Sequence, residues 1–452
     1  MQWRLVSRAP GRWRRALFIS GGLILMTLCL AIDRATAQTP PAPNQSPPAA
    51  AAPGELTIAA AVQEAIDHNL ELLARRADVT VADAQIITAR LRPNPVLSLD
   101  ADHLDWLGTG FNDTNNGGPT ELSARVDVPV ERGDKRALRI DSARAVRAVA
   151  EAKVDDAVRM LSETVALACI DVVQAQDNLT LAQEAFHSFE ALAAFNDERV
   201  RAGATSPYEA ARSRVAMLQF RATVSHAELE VRSASLRLQQ ALGRPLSDDV
   251  LRVTPPVANA PVSFPELTAL ETLALEHRPD VRADQLTQAQ SISDLRLQVA
   301  LGKVDFTLGS EYRRQAGPIG ESNSLGFFFS APLPFSNRNQ GEIARARAEG
   351  MQAGRQTLAL EAQVRTEVRT ALDTYRTTSM LVKSIEEDLL ESARTARDVA
   401  AYAYRAGGTT LIDLIDSERA WNDAMQSYRD AQAERRRAAA RLNSAVGSEV
   451  IP

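Results

Sequence analysis

The chain carries one plan twice, and that duplication limits its fold more than any other feature. Asp67-His68-Asn69-Leu70-Glu71-Leu72 returns as Glu276-His277-Arg278-Pro279-Asp280-Val281. Arg201-Ala202-Gly203 returns as Arg405-Ala406-Gly407, and Ala241-Leu242-Gly243 as Ala445-Val446-Gly447. Gly203 and Gly243 are 40 residues apart, as are Gly407 and Gly447. A repeat of about 200 residues at matched internal spacing is the mark of a duplicated supersecondary unit. The first copy is expected at 56–262 and the second at 263–452, divided by the stretch around Pro255, Pro256 and Pro261.

Each copy reads as helix, strand, loop, strand, very long helix, tight turn, long helix. No Gly or Pro interrupts the run between Gly133 and Gly203, which as one helix would be roughly 100 Å long. Val154, Val158, Leu161, Val165, Ala168, Val172, Ala175, Leu179, Ala182, Phe186, Phe189 and Ala193 step by fours and threes. That spacing lays one apolar stripe against a neighbouring helix, as in a coiled coil. The second copy repeats it more loosely through Val364, Val368, Ala371, Tyr375, Val382, Ile385, Leu389, Ala396 and Val399. Gly203 and Gly407 stand where a helix should stop in a left-handed cap.

Four short segments alternate with period two: about 95–105, 120–130, 303–314 and 323–333. Leu97, Leu99 and Ala101 face one way, Ser98, Asp100 and Asp102 the other; Phe328 breaks the pattern of the fourth segment. An apolar face opposite a charged one suits a barrel strand between lipid and water, although a half-buried soluble sheet alternates in the same way. The loops at Gly108–Pro119 and Gly317–Asn323 are polar and Gly-rich, as an external tip would be. Four strands cannot close a barrel, and an open edge is not tolerated in hydrocarbon. Other copies of the chain must supply the pairing. Three copies give twelve strands; two or four also satisfy the edges.

The N-terminus points to export. Arg4, Arg8, Arg12, Arg14 and Arg15 precede an apolar run from Ala16 to Ile32, and Ala35-Thr36-Ala37 supplies a small-residue cleavage signal. Residues 1–37 are therefore expected to be a signal peptide, and 38–55 a Pro/Ala-rich linker. Six Arg and one Asp leave with the leader, shifting the net charge from −6 to −11. That balance excludes a nucleic-acid partner, which would need cations for phosphates. Cys169 has no mature partner and reads as a packing residue. His68, His103, His187, His226 and His277 show no ligand spacing, and no phosphate loop or nucleophile motif is present, so neither enzyme nor cofactor is expected.

With these elements in place, residues 56–447 resemble the TolC-like family of outer-membrane efflux factors. The resemblance implies a mainly α fold with a small membrane β part. The duplicated helix-strand-strand-helix-helix repeat would build a trimeric twelve-stranded barrel, four strands per chain, continued by a long α-helical barrel in the periplasm. Pro332-Leu333-Pro334-Phe335-Ser336-Asn337-Arg338-Asn339-Gln340-Gly341-Glu342 is similar to the strand-to-helix corner of the cobalt-zinc-cadmium branch. Val128-Pro129-Val130-Glu131-Arg132-Gly133-Asp134-Lys135-Arg136 is similar to its first-copy counterpart. The implied function is passive conduction, with divalent heavy metals as cargo; drugs or other small molecules are the alternative cargo. A periplasmic coiled-coil scaffold or adaptor is the alternative of another class. The implied partners are two sister subunits, outer-membrane lipid, a periplasmic adaptor and an inner-membrane proton-driven transporter.

Residue roles follow from the same resemblance. The turns at Arg201, Gly203, Thr205 and Ser206 and at Arg405, Gly407, Gly408 and Thr409 resemble the tips that meet the adaptor. Leu411-Ile412-Asp413-Leu414-Ile415-Asp416 resembles the aperture segment whose aspartates ring a closed entrance. Asp413 and Asp416 are three apart, hence on one helix face. Ringed carboxylates should repel one another, raise some pKa values and attract cations; a solvated face would hold the same residues. Some relatives lock the aperture with an arginine at the position of Thr409 and a tyrosine network; here Tyr404 is kept and the arginine is not.

Overall fold

The computed structural model describes residues 56–104, 106, 108, 119–254, 266–317 and 320–451. The expected leader, the linker, the centre of the first external loop and the Pro-rich divider lie outside the described residues. Each copy opens with a short helix butted against a longer one: α1 (Ile58–His68) and α2 (Leu70–Arg90) in the first, α5 (Leu267–His277) and α6 (Pro279–Leu301) in the second. Strands β1 (Val96–Asp102) and β2 (Thr120–Val130) follow in the first copy, β3 (Phe306–Gly317) and β4 (Gly320–Ser330) in the second. The first copy then forms α3 (Lys135–Arg201) and α4 (Pro207–Leu242). The second forms α7 (Gln340–Ser384), a π turn (Ile385–Leu389), α8 (Leu390–Arg405) and α9 (Leu411–Val446). This is the mainly helical, duplicated architecture expected, and α4 and α9 are each 36 residues long. No helix among the described residues is long and apolar enough to cross a membrane.

The repeated strings mark where helices are spliced end to end. Asn69 separates α1 from α2; its Oδ1 accepts from the Glu71 and Leu72 N–H groups at 3.0 Å. Its Nδ2 donates to the Ala241 carbonyl at 2.9 Å, satisfying an orphan acceptor at the end of α4. Gly243 caps α4 at φ 75°, and a Cβ there would meet the His68 carbonyl oxygen at 2.3 Å. The second copy makes the same joint with other chemistry. Arg278, 4% exposed, donates to the Ala445 carbonyl at 3.2 Å and pairs with Asp280 and Glu367 at 2.6 Å each. Gly447 caps α9 beside it at φ 74°.

Each joint sits on its own core. Val165, Cys169, Val172, Leu238 and Leu242 bury around the first, and Leu270, Val364, Val368, Leu372 and Leu442 around the second. Cys169 is fully buried, and burial pushes its thiol up to about 12, so it is an inert packing group. The heptad stripe of α3 faces inward as expected. That of the second copy does so only as far as Ile385. Leu389 is 44% and Val399 62% exposed, whereas Leu390, Arg397 and Ala400 turn inward. The π turn adds one residue to the helix, so every position below it is displaced by one. The sequence pattern cannot register that insertion.

The four strands form one antiparallel sheet in the order β1-β2-β3-β4. Leu97, Leu99, Val126, Val128, Leu308, Tyr312, Leu325, Phe327 and Phe329 share its exposed apolar face. Ser98, Asp100, Glu121, Arg125, Asp127, Glu311 and Arg313 occupy the other. Phe328 stands on that charged face opposite Gly309, with the Arg125 guanidinium 4.2 Å from its ring centre. The second hairpin is tighter than its composition suggested. Ser322, expected in the loop, pairs with Gln315, and Asn323, where loop and expected strand meet, pairs with Arg314; Tyr312–Asn323 (2.7 Å) and Arg314–Glu321 (2.7 Å) extend the ladder with polar side chains. Among the described residues β1 and β4 each keep one unpaired edge.

Candidate functional site

At the ends of the two long hairpins the chain makes the same turn twice. Gly203 (φ 73°) and Gly407 (φ 79°) take the left-handed conformation. The Ala204 N–H reaches the Arg199 carbonyl, and the Gly408 N–H the Ala403 carbonyl, both at 2.8 Å. These are Schellman-type stops, which a Cβ in that conformation would strain. Arg201, Gly203, Ser206, Arg405, Gly407 and Gly408 are exposed, and Thr205 and Thr409 are half-buried. Arg201 pairs with Glu198 at 2.5 Å.

The following helices begin with matching caps. The Ser206 hydroxyl accepts from the Glu209 N–H (3.4 Å), and Thr205 donates to the Glu209 carboxylate. In the second tip Asp413 takes the place of Glu209. Asp413 Oδ2 accepts from the Thr410 hydroxyl (2.7 Å), the Thr409 hydroxyl (2.9 Å) and the Thr410 N–H (3.1 Å), completing a capping box. Those three bonds hold the Asp413 carboxyl below the usual range. Within one subunit its pKa therefore moves opposite to the rise expected from repulsion. Asp413 and Asp416 are both exposed, while Leu411, Leu414 and Ile415 bury on the other side of the helix. The first tip has Arg212 where the second has Asp416, so only the second presents two acids on one face.

The two tips are fastened together inside the subunit. Phe189 of α3, Ala216 of α4, Tyr404 of α8 and Leu411, Leu414 and Ile415 of α9 make one buried cluster, and Phe189 stacks on Phe220 at 4.3 Å. Tyr404 is 4% exposed and donates to Asn196 Oδ1 at 2.6 Å, linking the second hairpin to the first. Burial pushes its hydroxyl above the usual range, so the proton stays in this bond. The Arg199 guanidinium lies 5.4 Å from the Tyr404 ring centre and 5.7 Å from that of Phe195. Asn196 and Arg199 were not anticipated. The signal for Asn196 was there: it extends the stripe Phe189, Ala193, Asn196, where a polar residue is out of character. Among the described residues no group of His, Cys, Asp or Glu could hold a metal ion.

A duplicated helical chain with one four-stranded sheet and two capped hairpin tips defines a class. The family described as outer membrane efflux protein matches residues 61–244 and 270–448, and the chain belongs to it. It is an outer-membrane efflux channel of a tripartite system, a duct rather than an enzyme, with its helical part in the periplasm. Channels of this family are trimers that work with an adaptor and an inner-membrane pump. The chain is similar to the cobalt-zinc-cadmium resistance protein CzcC of Cupriavidus metallidurans, 26% identical over 422 residues, covering 92% of this chain and 94% of that protein. It is also similar to the pyoverdine export outer membrane protein OpmQ of Pseudomonas putida, 23% identical, covering 94% of this chain and 97% of that protein. Among solved structures the fold is shared with CusC (TM-score 0.72, 17% identity, 86% of this chain and 92% of that one). It is shared equally with the Campylobacter jejuni CmeC outer membrane channel (TM-score 0.71, 15% identity, 86% and 85%).

Proposed function

We propose that this channel exports divalent heavy-metal cations. The observation that carries the proposal is the likeness to CzcC along 92% of the chain. The likeness to OpmQ supports a second reading, in which the same duct passes a small organic cargo. Asp413 and Asp416 form the aperture: three subunits around one axis would gather six exposed carboxylates, a cation-attracting constriction. Tyr404 braces it from within each subunit. The tips at Arg201, Gly203, Thr205 and Ser206 and at Arg405, Gly407, Gly408 and Thr409 meet the adaptor, and a proton-driven transporter supplies the energy. Residues 1–37 direct export and are removed.

Deleting the gene should lower tolerance to zinc, cobalt and cadmium while leaving antibiotic and siderophore tolerance unchanged; the reverse pattern would select the organic cargo. Asp413→Ala with Asp416→Ala should raise the conductance of the purified channel in planar bilayers and weaken its preference for cations. Unchanged conductance and selectivity would remove the aperture from these residues.

A further inference from the structure

The corner after β4 holds residues that conduction does not use. There the chain runs Ala331-Pro332-Leu333-Pro334-Phe335, with Leu333 71% and Phe335 81% exposed. Two prolines restrict the backbone, and the Phe335 N–H bonds the Leu333 carbonyl at 2.9 Å. The odd-numbered apolar run Leu325, Phe327, Phe329 continues through Ala331 to Leu333 and Phe335. From Leu325 to Phe329 that run is about 13 Å along the strand, or about 10 Å of membrane height at a tilt near 40°. The apolar band of an outer-membrane barrel is about 25 Å tall. β4 ends at Ser330, and Leu333 and Phe335 add exposed apolar side chains immediately beyond it. The apolar run of β4 is shorter than that band, and the corner places further apolar surface at its periplasmic end.

The charges at this level complement a lipid surface. Arg92, Arg132, Arg136, Lys303 and Arg338 flank the strand ends, all exposed, and none makes an ion pair among the described residues. The nearby acids are largely committed: Glu131 to Arg139 and Asp305 to Lys135 (2.6 Å), leaving Asp134. Exposed apolar side chains bordered by cations that have no carboxylate partner match acyl chains beneath anionic headgroups. We propose that the corner 332–338 is a lipid-docking collar seated in the periplasmic leaflet. Leu333 and Phe335 lie at the acyl boundary, and Arg338 with the neighbouring cations binds the phosphates of anionic phospholipid.

The test uses the trimer reconstituted in vesicles of phosphatidylethanolamine and phosphatidylglycerol with brominated acyl chains. Phe335→Trp is placed in a background with Trp106→Phe and Trp421→Phe, which leaves one indole in the mature chain, and Leu325→Trp in the same background is the barrel control. The collar predicts that bromine quenches the indole at both positions. Quenching at 325 alone would overturn it, whether the indole at 335 is reached by aqueous iodide or shielded by a protein neighbour. Quenching at neither would overturn it together with the membrane placement on which it rests. As a second readout, Arg132→Gln with Arg338→Gln should lower the phosphatidylglycerol retained per trimer relative to phosphatidylethanolamine. Unchanged retention would overturn the headgroup assignment.

Discussion

Asp413 gives one carboxylate oxygen to its own helix and leaves the other free. One residue can thus cap α9 and, in the proposed aperture, face the axis. Its depressed pKa sets the sign of the pH response. The cap stabilises the tip above the ordinary carboxylate range, near 3.9, and that contribution fades as pH falls through the lower folded value. Backbone protection at the start of α9, read by hydrogen exchange and corrected for intrinsic rate, should drop between about pH 6 and about pH 3. Asp413→Ala should abolish the difference between the two conditions. Tyr404 makes the other testable bond at this scale. Tyr404→Phe leaves the buried Asn196 Oδ1 without its donor, at a cost of about 1–3 kcal/mol. The expected results are a less stable tip and a channel that opens more often in bilayers; unaltered gating would mean that the clasp is only packing. The sequence pointed to Tyr404 and both aspartates through their neighbours in the chain. It could not show Asn196 as the partner, because that contact spans 208 residues and depends on how two hairpins lie together.

At the scale of elements, the two hairpins differ in one way that matters. α3 runs unbroken for 67 residues, whereas its counterpart is interrupted by the π turn at Ile385–Leu389. Tyr428 of α9 donates to the Glu386 carboxylate within that turn, and Val382, Ile385 and Ala431 bury beside it. The extra residue sets the rotational phase of α8 and so turns Tyr404 toward Asn196. Deleting Glu387 should restore an ordinary helix and rotate α8 by about 100° relative to α7. It should raise channel opening as Tyr404→Phe does, and adding Tyr404→Phe to the deletion should have no further effect. Additive effects would show that the π turn does not act through Tyr404. The long helices, turn glycines and splice points were legible because each leaves a local signature: a Gly-free run, an αL position, a repeated string. The π turn leaves none, so the stripe Leu389, Ala396, Val399 was read one residue out of phase. Likewise β4 begins at Gly320, three residues before the expected 323, because Glu321 and Asn323 add side-chain bonds to Arg314 and Tyr312 across the ladder.

For the whole molecule, the governing fact is the sheet. Among the described residues one subunit offers four strands with β1 and β4 open at the outer edges, and unpaired backbone groups in hydrocarbon cost several kcal/mol each. Closure by sister subunits satisfies those edges, and in the proposed aperture the same closure would gather three copies of Asp413 and Asp416 around one axis. Sheet and barrel are therefore consequences of one assembly, and the proposed aperture would follow from the same assembly. The need for partners was legible from strand count alone; the number three came from likeness to known channels. The most direct measurement is the mass of the mature protein extracted from outer membranes in mild detergent, read by native mass spectrometry after lipid removal. Three chains in one particle, stable until the sheet is unfolded, is the result expected. A single folded chain that stays soluble once detergent is withdrawn would contradict the account.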